Sequence, residues 1–86
     1  MWRFVHEAQV STNAKAWLVS KGYGDARVKH VDCMRIGTNK SGQVFRSCNI
    51  QFTASKCSVG AVTLPVRGTQ VETGFNPNYG YGTVAC

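Results

Sequence analysis

Four cysteines and two histidines are the residues of this chain whose chemistry could bind a metal ion or act on a substrate. His30 and Cys33 have the superficial spacing of zinc ligands, with Cys48 and Cys57 farther along. On a strand, however, two residues an odd number apart point to opposite faces, so His30 and Cys33 would not share one ion. The sequence contains no C-x-x-C pair, the usual half of a structural zinc site. We therefore predict no metal site and no cofactor.

Catalysis by a thiolate or by carboxylates has little support in the sequence. A nucleophilic cysteine needs a neighbouring base, and Cys33 and Cys48 fall on the predicted apolar face while His30 falls on the other. Acid–base catalysis needs positioned carboxylates. The chain offers four acidic residues, Glu7, Asp25, Asp32 and Glu72. We therefore expect a non-enzymatic protein. The enzymatic alternative is a small thiol-dependent enzyme or redox protein that uses Cys33 or Cys48.

Basic residues are concentrated in the middle of the chain. Ten Lys and Arg against four Asp and Glu give a net charge of +6 and an isoelectric point near 9.5. Between Arg27 and Lys56, the single acid is Asp32. A positive field of this kind favours phosphates or an acidic protein surface as the ligand. The candidate binding residues are Lys29, Arg35, Lys40, Arg46 and Lys56.

A β-hairpin over Arg27–Lys56 is predicted to position these side chains. β-Branched and aromatic residues lie on both sides of Thr38-Asn39-Lys40-Ser41-Gly42, which has a turn composition. If residues 39–42 form the loop, Thr38 lies opposite Gln43 and Cys33 lies opposite Cys48. Arg35 and Arg46 are then opposed near the turn, which is unfavourable for like charges unless they are exposed or paired with an anion.

This register separates the hairpin into an apolar and a polar face, and a slip by one residue would mix them. The apolar face carries Val31, Cys33, Cys48, Ile50 and Phe52. The polar face carries His30, Asp32, Met34, Asn49, Gln51 and Thr53. The basic residues are expected to rim the polar face.

The segment before the hairpin is predicted to form a strand and a short helix. Alternation over Trp2–Val10 is typical of a half-buried strand. Good N-cap residues at 11–13 predict a helix over Ala14–Lys21, with Gly22 as its C-cap. Such a short helix must pack on the sheet, through Trp17 and Leu18.

The segment after the hairpin is predicted to add further strands. Cys57–Leu64 is small and β-branched, and Pro65 is expected to end this strand or to mark an edge. Val66–Thr73 predicts another strand. Residues 74–82 predict a loop whose aromatic residues Phe75, Tyr79 and Tyr81 could stack on a ligand, and Thr83–Cys86 a short final strand or a frayed end.

Together these elements predict an α+β fold in one domain, residues 1–86. We expect a mostly antiparallel sheet of four to six strands with one short helix on a face, in the order strand, helix, then four strands. The predicted core is Trp2, Phe4, Trp17, Leu18, Val31, Cys33, Cys48, Ile50 and Phe52.

The N-terminal residues lack the apolar run of a signal peptide, and no later run reaches membrane-spanning length. We therefore expect a cytoplasmic protein that does not bind a membrane, with its four cysteines as buried thiols. If the protein were secreted, Cys33 and Cys48 would be the first candidates for a disulfide.

The sequence favours a binding protein whose ligand is an acidic protein surface, a protein–nucleic acid complex, or DNA or RNA phosphates. Sequence-independent nucleic-acid binding is the direct alternative, although no RNA-binding motif or recognition helix is present. In size, charge and element order the chain resembles small proteins of phages and mobile elements such as anti-CRISPR inhibitors. That resemblance implies an inhibitor of a nucleic-acid-processing complex in the host cytoplasm.

Overall fold

The computed structural model describes residues 7–73 and 80–86. Its elements are helix α1 (Glu7–Ser20) and strands β1 (Arg27–Thr38), β2 (Val44–Ala54), β3 (Cys57–Arg67) and β4 (Gln70–Val71). The four strands form one antiparallel sheet in the order β1-β2-β3-β4. An α+β fold with one helix and an antiparallel sheet is therefore confirmed for the described residues. In those residues, no helix is long and apolar enough to cross a membrane.

The predicted strand over Trp2–Val10 is wrong from residue 7 onward, because α1 begins at Glu7; residues 2–6 lie outside the described residues. Val10, Ala14 and Leu18 recur at every fourth position, share one helix face and are buried. The predicted caps at residues 11–13 lie inside the helix. Thr12 Oγ1 donates to the Ala8 carbonyl at 3.0 Å, and the Asn13 side chain donates to the Thr69 carbonyl at 2.6 Å. The side chains of Thr12 and Asn13 therefore form hydrogen bonds inside the helix and do not cap its first turn.

The C-terminal end of α1 forms as the sequence predicts. Gly22 has a φ of 99°, a conformation that glycine adopts without strain. The Gly22 N–H donates to the Val19 carbonyl at 3.1 Å, and the Tyr23 N–H donates to the Leu18 carbonyl at 3.0 Å. This pair of bonds is the Schellman motif.

The register of β1 against β2 is confirmed in the middle of the hairpin. Cys33 lies opposite Cys48, and Arg35 lies opposite Arg46. The end near the loop differs, since Thr38 pairs with Val44 and not with Gln43. A bulge between Arg35 and Gly37 causes the shift by adding one residue to β1.

Strand β3 does not end at Pro65, so that alternative of the prediction is wrong. Pro65 pairs with Ser47 of β2, and its carbonyl accepts a bond from the Glu72 N–H at 2.8 Å on the side away from β2. The N and C=O of a strand residue point to the same side, so the N–H that proline lacks would also have pointed away from β2. The β2–β3 ladder therefore continues through the proline to Arg67.

The core is one cluster that contains buried residues of α1 and of the sheet. The described residues buried in it are Val10, Ala14, Leu18, Ala26, Val31, Cys48, Ile50, Phe52, Cys57, Val62, Leu64 and Val66. The predicted core residues Trp17 and Cys33 are half-buried against this cluster. Trp2 and Phe4 lie outside the described residues.

The prediction of four free thiols is wrong. Cys33 is disulfide-bonded to Cys48, and Cys57 is disulfide-bonded to Cys86. The first bond joins directly opposite residues of β1 and β2, whose Cα atoms are 4.0 Å apart. The second bond holds the segment that ends at Cys86 beside β3, where Ala85 also pairs with Ala61.

Candidate interface of basic residues

The five basic residues chosen from the sequence lie at two ends of the sheet. Arg35, Lys40 and Arg46 lie at the end that carries the β1–β2 loop, and we call them the loop-end cluster. Lys29 and Lys56 lie at the opposite end and form the far-end pair. At roughly 3.4 Å per residue, Lys29 and Arg35 are about 20 Å apart along β1. The structure therefore does not gather the five residues into one patch.

Arg35 and Arg46 form the centre of the loop-end cluster. They are cross-strand partners, two positions along from Cys33 and Cys48. The short Cα separation of the disulfide-bonded pair marks it as one that exchanges no ladder hydrogen bonds, and such pairs recur at every second position. Side chains in these pairs are the closest across a sheet. Two guanidinium-bearing residues therefore occupy adjacent positions in β1 and β2.

Alternation places these arginines on the face that carries the disulfide, and not around the polar face. On this face, Val66 of β3 continues the row beyond Arg46 and is buried. Arg46 is half-buried and Arg35 is exposed. Arg35 Nη2 donates to Thr38 Oγ1 at 2.9 Å, which ties the side chain to its own strand. The guanidinium of Arg35 is therefore held close to the loop.

The loop that carries Lys40 is tied together by Asn39. The Asn39 side-chain oxygen accepts bonds from the Ser41 N–H at 3.0 Å and the Gln43 N–H at 2.9 Å. Gly42 closes the turn with a φ of 83°, and its N–H donates to the Asn39 carbonyl at 3.0 Å. This is a type of short hairpin connection with glycine in the left-handed conformation. It presents the exposed Lys40 at the tip of the hairpin.

Two residues with exposed apolar side chains precede and follow Arg35 in β1, and neither is among the predicted binding residues. Met34 is 67% exposed and Ile36 is 54% exposed. Met34 lies on the predicted polar face, opposite to the face that carries Arg35 and Arg46, and its exposure agrees with that position. The signal in the sequence is a change in the phase of the alternation, because the apolar positions move from Val31 and Cys33 to Met34 and Ile36. Arginine and methionine are both enriched in protein–protein interfaces.

The far-end pair is partly used by the fold itself. Lys56 Nζ lies 5.8 Å from the centre of the Tyr23 ring, which in turn meets the Phe52 ring edge-on at 5.5 Å. Lys56 therefore covers the aromatic end of the core, a cation–π contact that accounts for this residue without a ligand. Lys29 is exposed within a second bulge of β1, between Val28 and His30.

The aromatic loop predicted as a stacking surface is described only in part. Phe75 and Tyr79 lie outside the described residues. Tyr81 is half-buried in a turn whose Gly82 N–H donates to the Thr63 carbonyl of β3 at 2.9 Å. Tyr81 therefore lies along the β3 side of the sheet, whereas Lys29 and Arg35 lie on β1, two strands away.

The candidate metal ligands and the candidate nucleophiles can be located in the described residues. In residues 7–73 and 80–86, no group of three or more His, Cys, Asp or Glu is placed to hold a metal ion. Both cysteines considered as nucleophiles are held in one disulfide, so either would need reduction first. His30 and Asp32 are exposed on the uncovered face of β1.

Asp25 has a structural role at the far end. Its carboxylate accepts the Ser55 N–H at 3.1 Å and links the segment before β1 to the β2–β3 turn. Hydrogen bonding from the side chain and backbone of Ser55, with help from the charge of Arg27, holds the pKa of Asp25 below its ordinary value. At neutral pH the charge of Asp25 therefore stabilises a turn.

Comparison of the chain with protein-family models, curated proteins and solved structures finds no match.

Proposed function

We propose that this protein is a non-enzymatic binding module that contacts an acidic protein surface with its loop-end cluster. The observation that carries the proposal is the cross-strand pair Arg35–Arg46. Cross-strand neighbours bring two positive charges close together, and two adjacent positive charges attract an anionic group. Guanidinium groups also bind carboxylates in a two-pronged geometry.

An acidic protein is favoured over a nucleic acid by the exposed apolar side chains next to Arg35 in the chain. Met34 and Ile36 expose apolar surface at the same end of β1, with Met34 on the face opposite to the arginines, so a partner at this strand would have to contact both faces to bury them. A phosphate backbone offers nothing for such side chains, whereas a protein partner buries them. Lys29 and Arg35 are separated by about 20 Å along β1 at the usual strand rise, which interrupts the row of cations that a nucleic-acid backbone would follow.

The two disulfides indicate the kind of compartment in which the protein would bind such a partner. Disulfides persist in oxidising compartments and are rare in the cytosol. The hypothesis of an inhibitor acting on a nucleic-acid-processing complex requires the host cytoplasm, where both bonds would have to survive reduction. We therefore place the partner in an oxidising compartment, in preference to the cytoplasm expected from the N-terminal sequence.

The ligand class is tested by binding of three probes across a salt series: poly-L-glutamate, a single-stranded RNA oligonucleotide and a DNA duplex. We expect saturable binding of poly-L-glutamate that weakens with salt. We also expect weaker binding of both nucleic acids at every salt concentration. Tighter binding of RNA or DNA would favour the alternative of direct, sequence-independent nucleic-acid binding, with a salt slope that counts the phosphate contacts. Failure of all three probes to bind at low salt would contradict any polyanion-binding function.

A further inference from the structure

Among the residues that the structure describes, 7–73 and 80–86, strand β1 is an edge of the sheet and pairs on one side only, with β2. The opposite edge of the sheet, along β3, is covered by other segments of the chain. There, β4 and the segment around Ala85 pair with the outer side of β3. An unpaired strand edge is a template on which another extended chain can add by backbone hydrogen bonds.

The alternating directions of the backbone N–H and C=O groups in β1 show which of them are available to pair with an added strand. Cys33 and Cys48 form a close pair that exchanges no ladder bonds, so the N–H and C=O of Cys33 point away from β2. The same holds at alternate positions, for Val31 and Arg35. Across residues 7–73 and 80–86, the backbone hydrogen bonds formed outside the strand ladders involve none of these three residues. Three successive sets of donors and acceptors therefore line this edge.

The charges on β1 indicate what kind of chain fits the edge. Arg27, Lys29 and Arg35 lie along β1, with Asp32 as its one acidic residue. A second copy of this chain would bring the same excess of positive charge to the edge, so self-pairing is disfavoured. A segment with carboxylates on alternate residues would gain both the backbone bonds and the ion pairs.

We propose that an extended acidic segment of a partner protein binds by adding a strand to the edge of β1, beside Val31, Cys33 and Arg35. This inference rests on the proposed function and specifies how the partner is bound. Backbone pairing supplies affinity that does not depend on side chains, and the cations of β1 select an acidic segment. Met34 and Ile36 would border the added strand near Arg35.

The first test compares two end-blocked octapeptides of alternating Glu and Thr, one of them methylated at every backbone nitrogen. Both carry the same charges, but the methylated peptide cannot donate backbone hydrogen bonds. We expect it to bind about 10-fold more weakly or worse, from the loss of two or more bonds. Equal affinities, or no saturable binding of the unmethylated peptide, would overturn the strand-addition proposal. Poly-L-glutamate binding that persists in either case would leave the proposed function standing.

The second test compares Arg35→Pro with Arg35→Ala. Both substitutions remove the guanidinium, but only proline removes the outward N–H, and proline is tolerated at such edge positions. We expect Arg35→Pro to bind the unmethylated peptide about 2- to 10-fold more weakly than Arg35→Ala, from one lost hydrogen bond. Circular dichroism and intact disulfides would establish that both variants are folded. Indistinguishable affinities in two folded variants would contradict the use of this edge.

Discussion

Gly60 is a buried position at which the core has no room for a side chain. A Cβ atom at this position would lie 2.6 Å from Phe52 Cζ and 2.7 Å from Cys57 Sγ. Phe52 is buried and Cys57 is held in a disulfide, so neither atom can move aside easily. The glycine therefore lets the phenyl ring lie directly against the backbone of β3.

Gly60→Ala is expected to lower the free energy of unfolding by about 1–3 kcal/mol, the usual cost of overpacking a core. Urea denaturation under non-reducing conditions measures it. Gly24→Ala is the matched control, because a Cβ there would meet no atom within 4 Å. If the two variants were equally stable, the close approach of Phe52 to Gly60 would be refuted.

Asp25 gives the stability of the protein a dependence on pH in the acid range. Its pKa in the folded protein lies below the ordinary value of an aspartate. A carboxyl with a lowered pKa stabilises the fold above its unfolded pKa, and that contribution is lost as the pH falls through the folded pKa. We expect Asp25→Ala to be less stable than the parent at pH 7. The difference should shrink below about pH 3.9. A difference that stayed constant from pH 7 into the acid range would contradict the role assigned to this charge.

Arg35 is expected to favour binding at the expense of stability. Arg35→Glu replaces a like-charge pair across β1 and β2 with an opposite-charge pair, which is worth about 0.2–1 kcal/mol in a sheet. We therefore expect a small rise in the thermal unfolding midpoint together with weaker binding of poly-L-glutamate. A fall in the midpoint would mean that Arg35 and Arg46 do not oppose each other unfavourably in the folded protein.

At the level of elements, the hairpin was predictable because its two faces differ so strongly in polarity. The apolar alternation of Val31, Cys33, Cys48 and Ile50 allows one register, and the structure has that register. The bulge near Arg35 could not be predicted, since it leaves the alternation of the middle of the strand unchanged. The pairing at the loop end was therefore wrong by one residue.

The helix was predicted too short because polar residues were interpreted as its start. The sequence contains the repeat of Val10, Ala14 and Leu18, but its first member was assigned to an alternating strand. Asn13 could not be placed from the sequence, because its partner is the carbonyl of Thr69, far along the chain. A tertiary contact thus outweighed a local preference for a cap.

The number of basic residues in the candidate interface was predictable from the sequence, but their arrangement in space was not. The sequence showed how many cations lie between residues 27 and 56. It did not show that Arg35 and Arg46 share the disulfide-bearing face, although the correct register already implied it. The open edge of β1 depends on strand order, which no local pattern in the sequence specifies.

At the scale of the whole molecule, the two disulfides tie the sheet together. The sequence predicted that Cys33 and Cys48 are neighbours, but their oxidation depends on the compartment and not on the spacing. The Cys57–Cys86 bond depends on the course of the chain beside β3, which the sequence did not reveal. It closes a loop with a sequence separation of 29.

Replacing Cys57 and Cys86 together with alanine is expected to lower the free energy of unfolding by about 2–4 kcal/mol, because the bond restricts the unfolded chain. Urea denaturation of the non-reduced protein measures the loss. Thiol labelling of the unfolded, non-reduced parent protein should modify no cysteine. Quantitative labelling would show that the disulfides are absent and would restore the prediction of free thiols.

The most direct test of the central claim is the affinity of poly-L-glutamate for two charge-reversed double variants. Arg35→Glu with Arg46→Glu removes the pair at the loop end, whereas Lys15→Glu with Lys21→Glu makes the same change in net charge in α1 and directly after its last residue. We predict that the arginine variant loses binding while remaining folded, and that the lysine variant keeps most of it. Equal losses in the two variants would mean that net charge alone attracts the ligand, and unchanged binding in the arginine variant would show that the interface lies elsewhere.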